Sequence, residues 1–397
     1  MNKKTIRDIN VEGRRVLVRV DFNVPLDAQQ QITDDTRVKA ALPTIRYLLD
    51  HSAAVILMSH LGRPKGQPVE SMRLTPISRR LSDLLGLPVQ MAPDCIGPRV
   101  VSMVQKLQPG QLLLLENLRF HKEEEQNDPD FARQLADLGE IYVNDAFGTA
   151  HRAHASTEGV TRYLPGVAGF LMEKEINFLG AALEHPKHPF AAIIGGAKVS
   201  DKITVLERLI SMVDALLIGG GMANTFLKAE GYEIGDSLVE NEKLDVARDL
   251  LARARQRKLA LVLPGDVVIA DRFAADADHK TVSASAVPPG WRILDIGERT
   301  IAAFREQLAS AQTIIWNGTL GVAEMPAFAK GTDAVISILA ELTKRGATTI
   351  IGGGDSAAAV EQAGAADKMT HVSTGGGASL EFLEGRVLPG VAALQDR

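Results

Sequence analysis

Short apolar runs alternate along the chain with segments whose apolar residues recur at helical spacing. In the first half the runs are VLVRVDFNV (16–24), AAVILMSHLGR (53–63), QLLLLENLR (111–119) and IYVNDAFG (141–148). In the second half they are FAAIIGGAK (190–198), ALLIGGGMA (215–223), ALVLPGDVV (260–268), TIIWNG (313–318) and TTIIGGGD (348–355). Between them, Lys202, Ile203, Leu206, Leu209, Ile210 and Val213 show the i, i+3, i+4, i+7 pattern of an amphipathic helix. Strands that read as continuous apolar runs, separated by helices, predict parallel sheets covered on both faces. The expected fold class is therefore α/β, as two doubly wound (Rossmann-like) parallel-sheet domains.

The two halves end their runs differently. First-half runs stop in Asp, Asn, His and Arg; second-half runs stop mostly in glycine pairs and triples. Ligands of open α/β sheets bind outside the carboxyl ends of the strands, so the halves are expected to hold different ligands. FLMEKEINFLGAALEHPKHPF (170–190) reads as a connecting amphipathic helix stopped by Pro186 and Pro189. The expected boundaries are 1–170 for the first domain, 171–189 for a hinge helix and 190–384 for the second domain.

Composition narrows the function classes. The 397 residues carry a net charge of −5, with 45% hydrophobic and 23% charged residues. No global basic field exists to bind nucleic acid or an anionic membrane. No apolar run has the length of a membrane span, and the polar start MNKKTIRDINVEGRR has no secretory apolar region. One cysteine, Cys95, excludes an internal disulfide framework. A cytoplasmic protein is expected.

Four first-half arginines stand at or near expected loop positions: Arg37, Arg63, Arg119 and Arg152, accompanied by His60, His151 and His154. A guanidinium pairs bidentately with carboxylate or phosphate. Brought together, these side chains form a cradle for a small polyanion; left apart, they are ordinary surface arginines. Asp21 and Asn23 suit either a substrate hydroxyl or the turn before Pro25. His151 and His154 lack the further ligands of a zinc site.

In the second half, GGAKVSDKITVLERL places Lys198 and Lys202 four apart at an expected helix start, where they would share one face. Two ammonium groups at a helix N-terminus suit a polyphosphate, although surface lysines on a capped helix read equally well. GGGMAN (219–224), GGGDSA (352–357) and STGGGASLE (373–381) add glycine clusters, none of which fits the dinucleotide fingerprint. Asp355 reads either as a helix N-cap or as a carboxylate for a divalent cation beside a nucleotide phosphate.

RVDFNVPLD, ILMSHLGRPKG, LLLLENLRFHKEE, YVNDAFGTAHRAHAST, GGAKVSDKI, IIGGGDS and VSTGGGASLE, in this order, closely resemble the phosphoglycerate kinase family over essentially the whole chain. The resemblance implies that Asp21, Phe22, Asn23, Arg37, His60, Leu61, Gly62, Arg63, Arg119 and Arg152 bind phosphoglycerate in the N-terminal domain. It implies that Lys198, Lys202, Gly219, Asn317, Glu324, Gly353, Gly354, Asp355 and Ser356 bind nucleotide in the C-terminal domain, with Asp355 on Mg²⁺. Arg37, Lys198, Lys202, Gly354 and Gly376 then serve the transferring phosphoryl group. The implied reaction joins 1,3-bisphosphoglycerate and ADP to 3-phosphoglycerate and ATP, in a monomer. Residues 385–397 are expected to return to the first domain.

One stretch departs from the family. Where members usually read W-N-G-P-[MV]-G-V-F-E, this chain has Thr319 for the proline and Ala323 for the phenylalanine. Two other readings stay open at this stage: a different nucleotide-dependent kinase of a small carboxylic acid, and a non-catalytic nucleotide-binding protein.

Overall fold

The computed structural model describes residues 2–397. The chain divides into two compact units, Met1–Asn177 with Val387–Arg397, and Phe178–Arg386. The boundary between Asn177 and Phe178 falls inside a single helix, Phe170–Glu184.

The first unit is built on a six-stranded parallel sheet of β1 (Arg15–Arg19), β2 (Ala54–Met58), β3 (Val89–Met91), β4 (Leu112–Leu114), β5 (Ile141–Asn144) and β6 (Gly166–Ala168), in the order β3-β4-β2-β1-β5-β6. The chain starts near the centre at β1, moves out on one side, and returns to fill the other from β5. That reversal puts the topological switch between β1 and β5, where ligand crevices open. Every residue of β2 is buried, as expected of a strand covered on both faces. Val16, Val18, Val55, Leu57, Leu112 and Leu114 share one core with Val38, Ile45 and Leu48 of the helix Thr36–Asp50. The C-terminal residues are stitched into this unit: Lys4 N donates to Gln395 O at 2.8 Å, and Gly390 N to Ala150 O at 2.8 Å.

The second unit holds another six-stranded parallel sheet: β7 (Phe190–Ile194), β8 (Ala215–Ile218), β9 (Ala260–Val262), β13 (Thr313–Asn317), β14 (Thr348–Gly352) and β15 (His371–Val372). The order β15-β14-β13-β7-β8-β9 has its switch between β7 and β13. Trp316 on β13 is fully buried in the core with Ile193, Leu217 and Ile351.

The apolar run 260–268 is not one strand. Pro264, which has no N–H to donate to a ladder, ends β9, and β10 (Asp266–Ala270) begins a separate antiparallel sheet with β11 (His279–Ser283) and β12 (Arg292–Ile296). Periodicity alone did not predict this sheet, because β11 is largely exposed and lacks an apolar face.

Candidate active site

In the first unit the side chains behind the β1/β5 switch meet around His60. Arg19, at the end of β1, is fully buried. It donates through Nη2 to His60 Nδ1 at 3.1 Å and through Nε to Ser156 Oγ at 2.8 Å. Ser156 Oγ in turn donates to Glu124 Oε1, and Ser156 N donates to Glu124 Oε2 at 2.9 Å. The turn after β1 supplies Asp21, whose Oδ2 accepts from Arg37 Nη1 at 3.0 Å, and Asn23, whose Oδ1 accepts from Gly62 N at 2.8 Å. Phe22 is buried, with its amide on Ser59 Oγ at 2.9 Å. Leu61 is held by Asn117, which accepts from its amide at 3.2 Å and donates to its carbonyl at 2.8 Å. Arg119 donates from Nη1 to Gly62 O at 2.9 Å, and Arg152 donates from Nε to His151 Nε2 at 3.1 Å.

The charges acting on His60 are all positive. Burial, followed by the positive fields of Arg19, Arg119, Arg152 and Arg37, holds His60 well below the ordinary imidazole range. A guanidinium only donates, so the hydrogen bond from Arg19 fixes Nδ1 as acceptor and leaves the single ring proton on Nε2. His154 is pushed down to about 3 by burial and by Arg119, Arg19 and Arg152. Arg119 is lowered to about 10, chiefly by burial, and remains charged at neutral pH. Its buried Nη2 has no hydrogen-bond partner. Its Nε lies 3.3 Å from Glu125 Oε1, so the charge is paired on one side, but an N–H left without an acceptor is costly unless an anion completes it. The structure thus gathers Asp21, Phe22, Asn23, Arg37, His60, Leu61, Gly62, Arg119 and Arg152, whereas Arg63 is exposed and makes no hydrogen bond or ion pair.

Sequence reasoning missed Arg19, Ser156 and Glu124. A signal existed: an arginine inside an apolar strand run must be paired if both sheet faces are covered.

In the second unit, three turns meet at the β7/β13 switch. Gly195 N donates to Asn317 O at 2.9 Å, Gly196 N to Thr319 O at 2.9 Å, and Gly220 N to Leu320 O at 3.0 Å. The approach is so close that a Cβ built on Gly195 would lie 2.2 Å from Thr319 O, which excludes any larger residue. Gly219, after β8, packs on Leu320. Lys202 Nζ donates to Asn317 Oδ1. Burial lowers the Lys202 ammonium, while Asp201, Asp355 and Glu384 oppose that shift. Asn317 Nδ2 is buried without a partner, a second unpaired donor at a strand end.

The helix Gly354–Gln362 opens beside it. Gly353 is its N-cap with φ 90°, a left-handed conformation that glycine adopts without strain. Ser356 Oγ accepts from Gly318 N at 3.2 Å, and Ser379 Oγ accepts from Gly353 N at 3.3 Å while donating to Gly376 O at 2.7 Å. Lys202, Asn317, Gly353, Ser356 and Gly376 therefore form one connected group.

Two expectations need correction here. The helix begins at Ile203 with Lys202 at its N-cap, so Lys198 sits in the preceding bend and the two lysines do not share a helix face. Glycine-rich turns delay helix entry because the backbone first passes through Gly196 at φ 107°. Asp355 is not an N-cap: Gly353 takes that place, and Asp355 is exposed in the first turn. Lys198 and Glu324 are likewise exposed, with no hydrogen bond tying them to the group.

Known proteins resemble this chain over its whole length. Residues 6–386 match the family model described as phosphoglycerate kinase. The phosphoglycerate kinase of Chloroflexus aggregans is 62% identical over 398 residues, covering all of both chains. That of Synechococcus elongatus is 60% identical over 400 residues, again covering both completely. Among solved structures, phosphoglycerate kinase from Coxiella burnetii superposes with a TM-score of 0.88 at 42% identity, over 98% of each chain. That from Pyrococcus horikoshii superposes at 0.86 with 33% identity, over 98% of each. This chain belongs to the phosphoglycerate kinase family of phosphotransferases.

Proposed function

We propose that the chain transfers a phosphoryl group reversibly between 1,3-bisphosphoglycerate and ADP, giving 3-phosphoglycerate and ATP. In this reading the first unit holds the phosphoglycerate and the second holds the nucleotide. The observation that carries it is the set of four arginines around a neutral His60, with a buried guanidinium nitrogen of Arg119 left unpaired. Such a site favours a compact, multiply charged anion.

The acceptor explains why no general base is needed. A carboxylate nucleophile, with a reference pKa of roughly 3–4, is ionised at neutral pH. The task is then to hold mutually repelling anions together and to stabilise charge in the transition state. Arg37, Arg119 and Arg152 supply fixed positive charge to the acceptor, and the Nε2 proton of His60 offers a neutral donor. Lys202 and the amides at Gly354 and Gly376 serve the transferring group and the nucleotide phosphates. Lys198 and Glu324 are assigned to the nucleotide through the family resemblance, and Arg63 to the phosphoglycerate in the same way.

Mg²⁺ fits Asp355. Its carboxylate is exposed, faces the positive charge of Lys202, and stands at a helix N-terminus, the kind of place where phosphates bind. The ion would neutralise nucleotide phosphate charge. Asp355→Asn is expected to raise the Mg²⁺ concentration for half-maximal rate by at least about tenfold, the scale on which even outer-sphere partners act. An unchanged Mg²⁺ dependence removes Asp355 from the metal. Monomeric, cytoplasmic operation belongs to the same reading.

A coupled assay of ATP consumption with 3-phosphoglycerate as acceptor tests the reaction directly; no turnover by the intact protein overturns it. The departures at Thr319 and Ala323 carry a smaller prediction. Thr319 offers its carbonyl to Gly196 and no hydrogen bond runs from its amide, so proline there removes none. Thr319→Pro with Ala323→Phe is expected to tighten nucleotide binding by up to about tenfold, or ~1.4 kcal/mol. An unchanged dissociation constant counts against it.

A further inference from the structure

Asp295, on β12, lies outside every motif that marks the site. It is buried, yet it touches three segments. Oδ1 accepts from its own neighbour Ile296 N at 2.8 Å, and Oδ2 accepts from Gly331 N, in the first turn of the helix Lys330–Lys344, at 2.9 Å. A Cβ built on Gly321 would lie 2.3 Å from Oδ1, and one built on Gly331 would lie 2.4 Å from it. The loop after β13 therefore rests directly on this carboxylate. Around it, Val322 N donates to Leu294 O at 3.0 Å, and Leu320 N donates to Thr332 Oγ1 at 3.1 Å. The same loop meets Gly196 and Gly220 through the carbonyls of Thr319 and Leu320.

We propose that Asp295 is a positioning residue for nucleotide binding, clamping the 317–324 loop to the start of the Lys330–Lys344 helix. The inference rests on the assignment of that loop, with Asn317 and Glu324, to the nucleotide. An ionised carboxylate accepts from Ile296 N and Gly331 N and complements the positive end of the helix, while Gly321 of the loop packs against it. Once protonated, it carries a donor and no longer complements that end as an anion, and the clamp slackens.

Burial pushes the Asp295 carboxyl up to about 7, against the amides of Gly331 and Ile296, with Asp333 raising it further and Lys330 lowering it. Lys330 and Asp333 are the charged groups that act on it from the helix, and the loop carries Glu324, which is exposed. Its ladder partner on β10 is the uncharged Val268, with Asp266 at the start of that strand. Arg292 opens its own strand.

Asp295→Asn keeps the shape and removes the charge. Dissociation constants for ADP and for 3-phosphoglycerate are measured by calorimetry for both proteins at about pH 6 and about pH 8. The nucleotide's own titration cancels in the ratio of variant to wild type. That ratio for ADP is expected near one at the lower pH and about fivefold at the higher, the scale of one hydrogen bond. The ratio for 3-phosphoglycerate stays below about twofold at both, as for an independent site. A merely structural role gives a pH-independent ratio, and that result overturns the inference alone. A wild-type protein that does not bind ADP overturns the nucleotide assignment and this inference with it. If Asp295→Asn does not fold, the exposed change Lys330→Met takes its place. It raises the pH at which Asp295 ionises, so ADP binding should weaken about twofold near neutrality and match wild type at higher pH. Equal ADP affinity across that range overturns the proposal.

Discussion

Replacing Lys202 by alanine is expected to lower kcat by about two to three orders of magnitude, because catalysis without a side-chain nucleophile rests on preorganised charge. Lys202 Nζ is fixed on Asn317 Oδ1, and its side chain lies over Gly196, where three glycine turns converge. No other lysine in the unit is tied into that group; Lys198 is exposed in the bend before the helix. A charge held in place before the reaction begins needs no reorganisation when charge moves. Removing it also strands Asn317 Oδ1, which costs about 1–3 kcal/mol when a buried acceptor loses its donor. Steady-state kinetics in the coupled assay, beside a denaturation curve, separate the two effects. A kcat within about threefold of wild type would remove Lys202 from the transition state.

Arg19→Met is the change expected to damage the first unit most. The guanidinium is fully buried and links His60, Ser156 and, through Ser156, the buried carboxylate of Glu124. Burial raises the Glu124 carboxyl, and Arg19 is the foremost influence opposing that rise. Breaking a buried pair by removing one partner typically costs about 3–5 kcal/mol, since the other charge is left uncompensated. His60 also loses the donor that selects its tautomer, so the KM for 3-phosphoglycerate should rise along with the loss of stability. The stability change is read from the transition of the first unit, as two units need not unfold together. Adding Glu124→Gln to Arg19→Met is expected to restore part of the loss, because the uncompensated charge is then gone. A double variant no more stable than Arg19→Met would show that the damage lies in packing rather than in charge.

Much of the fold was legible along the chain because parallel strands buried on both faces must be continuously apolar. AVILM at β2 and FAAII at β7 could be little else. The antiparallel sheet was not legible, since its outer strand HKTVS is mostly exposed and its inner strand hides behind Pro264. The residues that follow the strands match the sequence pattern in kind: polar groups in one half, glycines in the other. Their partners were not legible. Ser156 and Glu124 lie within the quoted motifs, yet nothing local indicates that Arg19 joins them, because their contacts span more than a hundred residues.

Local pattern also misjudged the entry to helices. Four-residue spacing placed Lys198 and Lys202 on one face, but the helix starts after both, delayed by the glycine turn before them. Asp355 before Ser356 reads as a cap, but Gly353 takes the cap position and leaves the carboxylate exposed.

The sequence by itself determined the α/β class, the division into a polar and a glycine-rich half, and the residue types at the strand ends of each half. Those follow from periodicity and from the chemistry of single side chains, which are local properties. Only the tertiary structure decided which charges are shared, which donors stay unpaired, and that Asp295 underpins a loop it does not belong to. Hydrogen bonds, fields and close backbone approaches depend on distances in space, and strand order, rather than sequence separation, sets those distances.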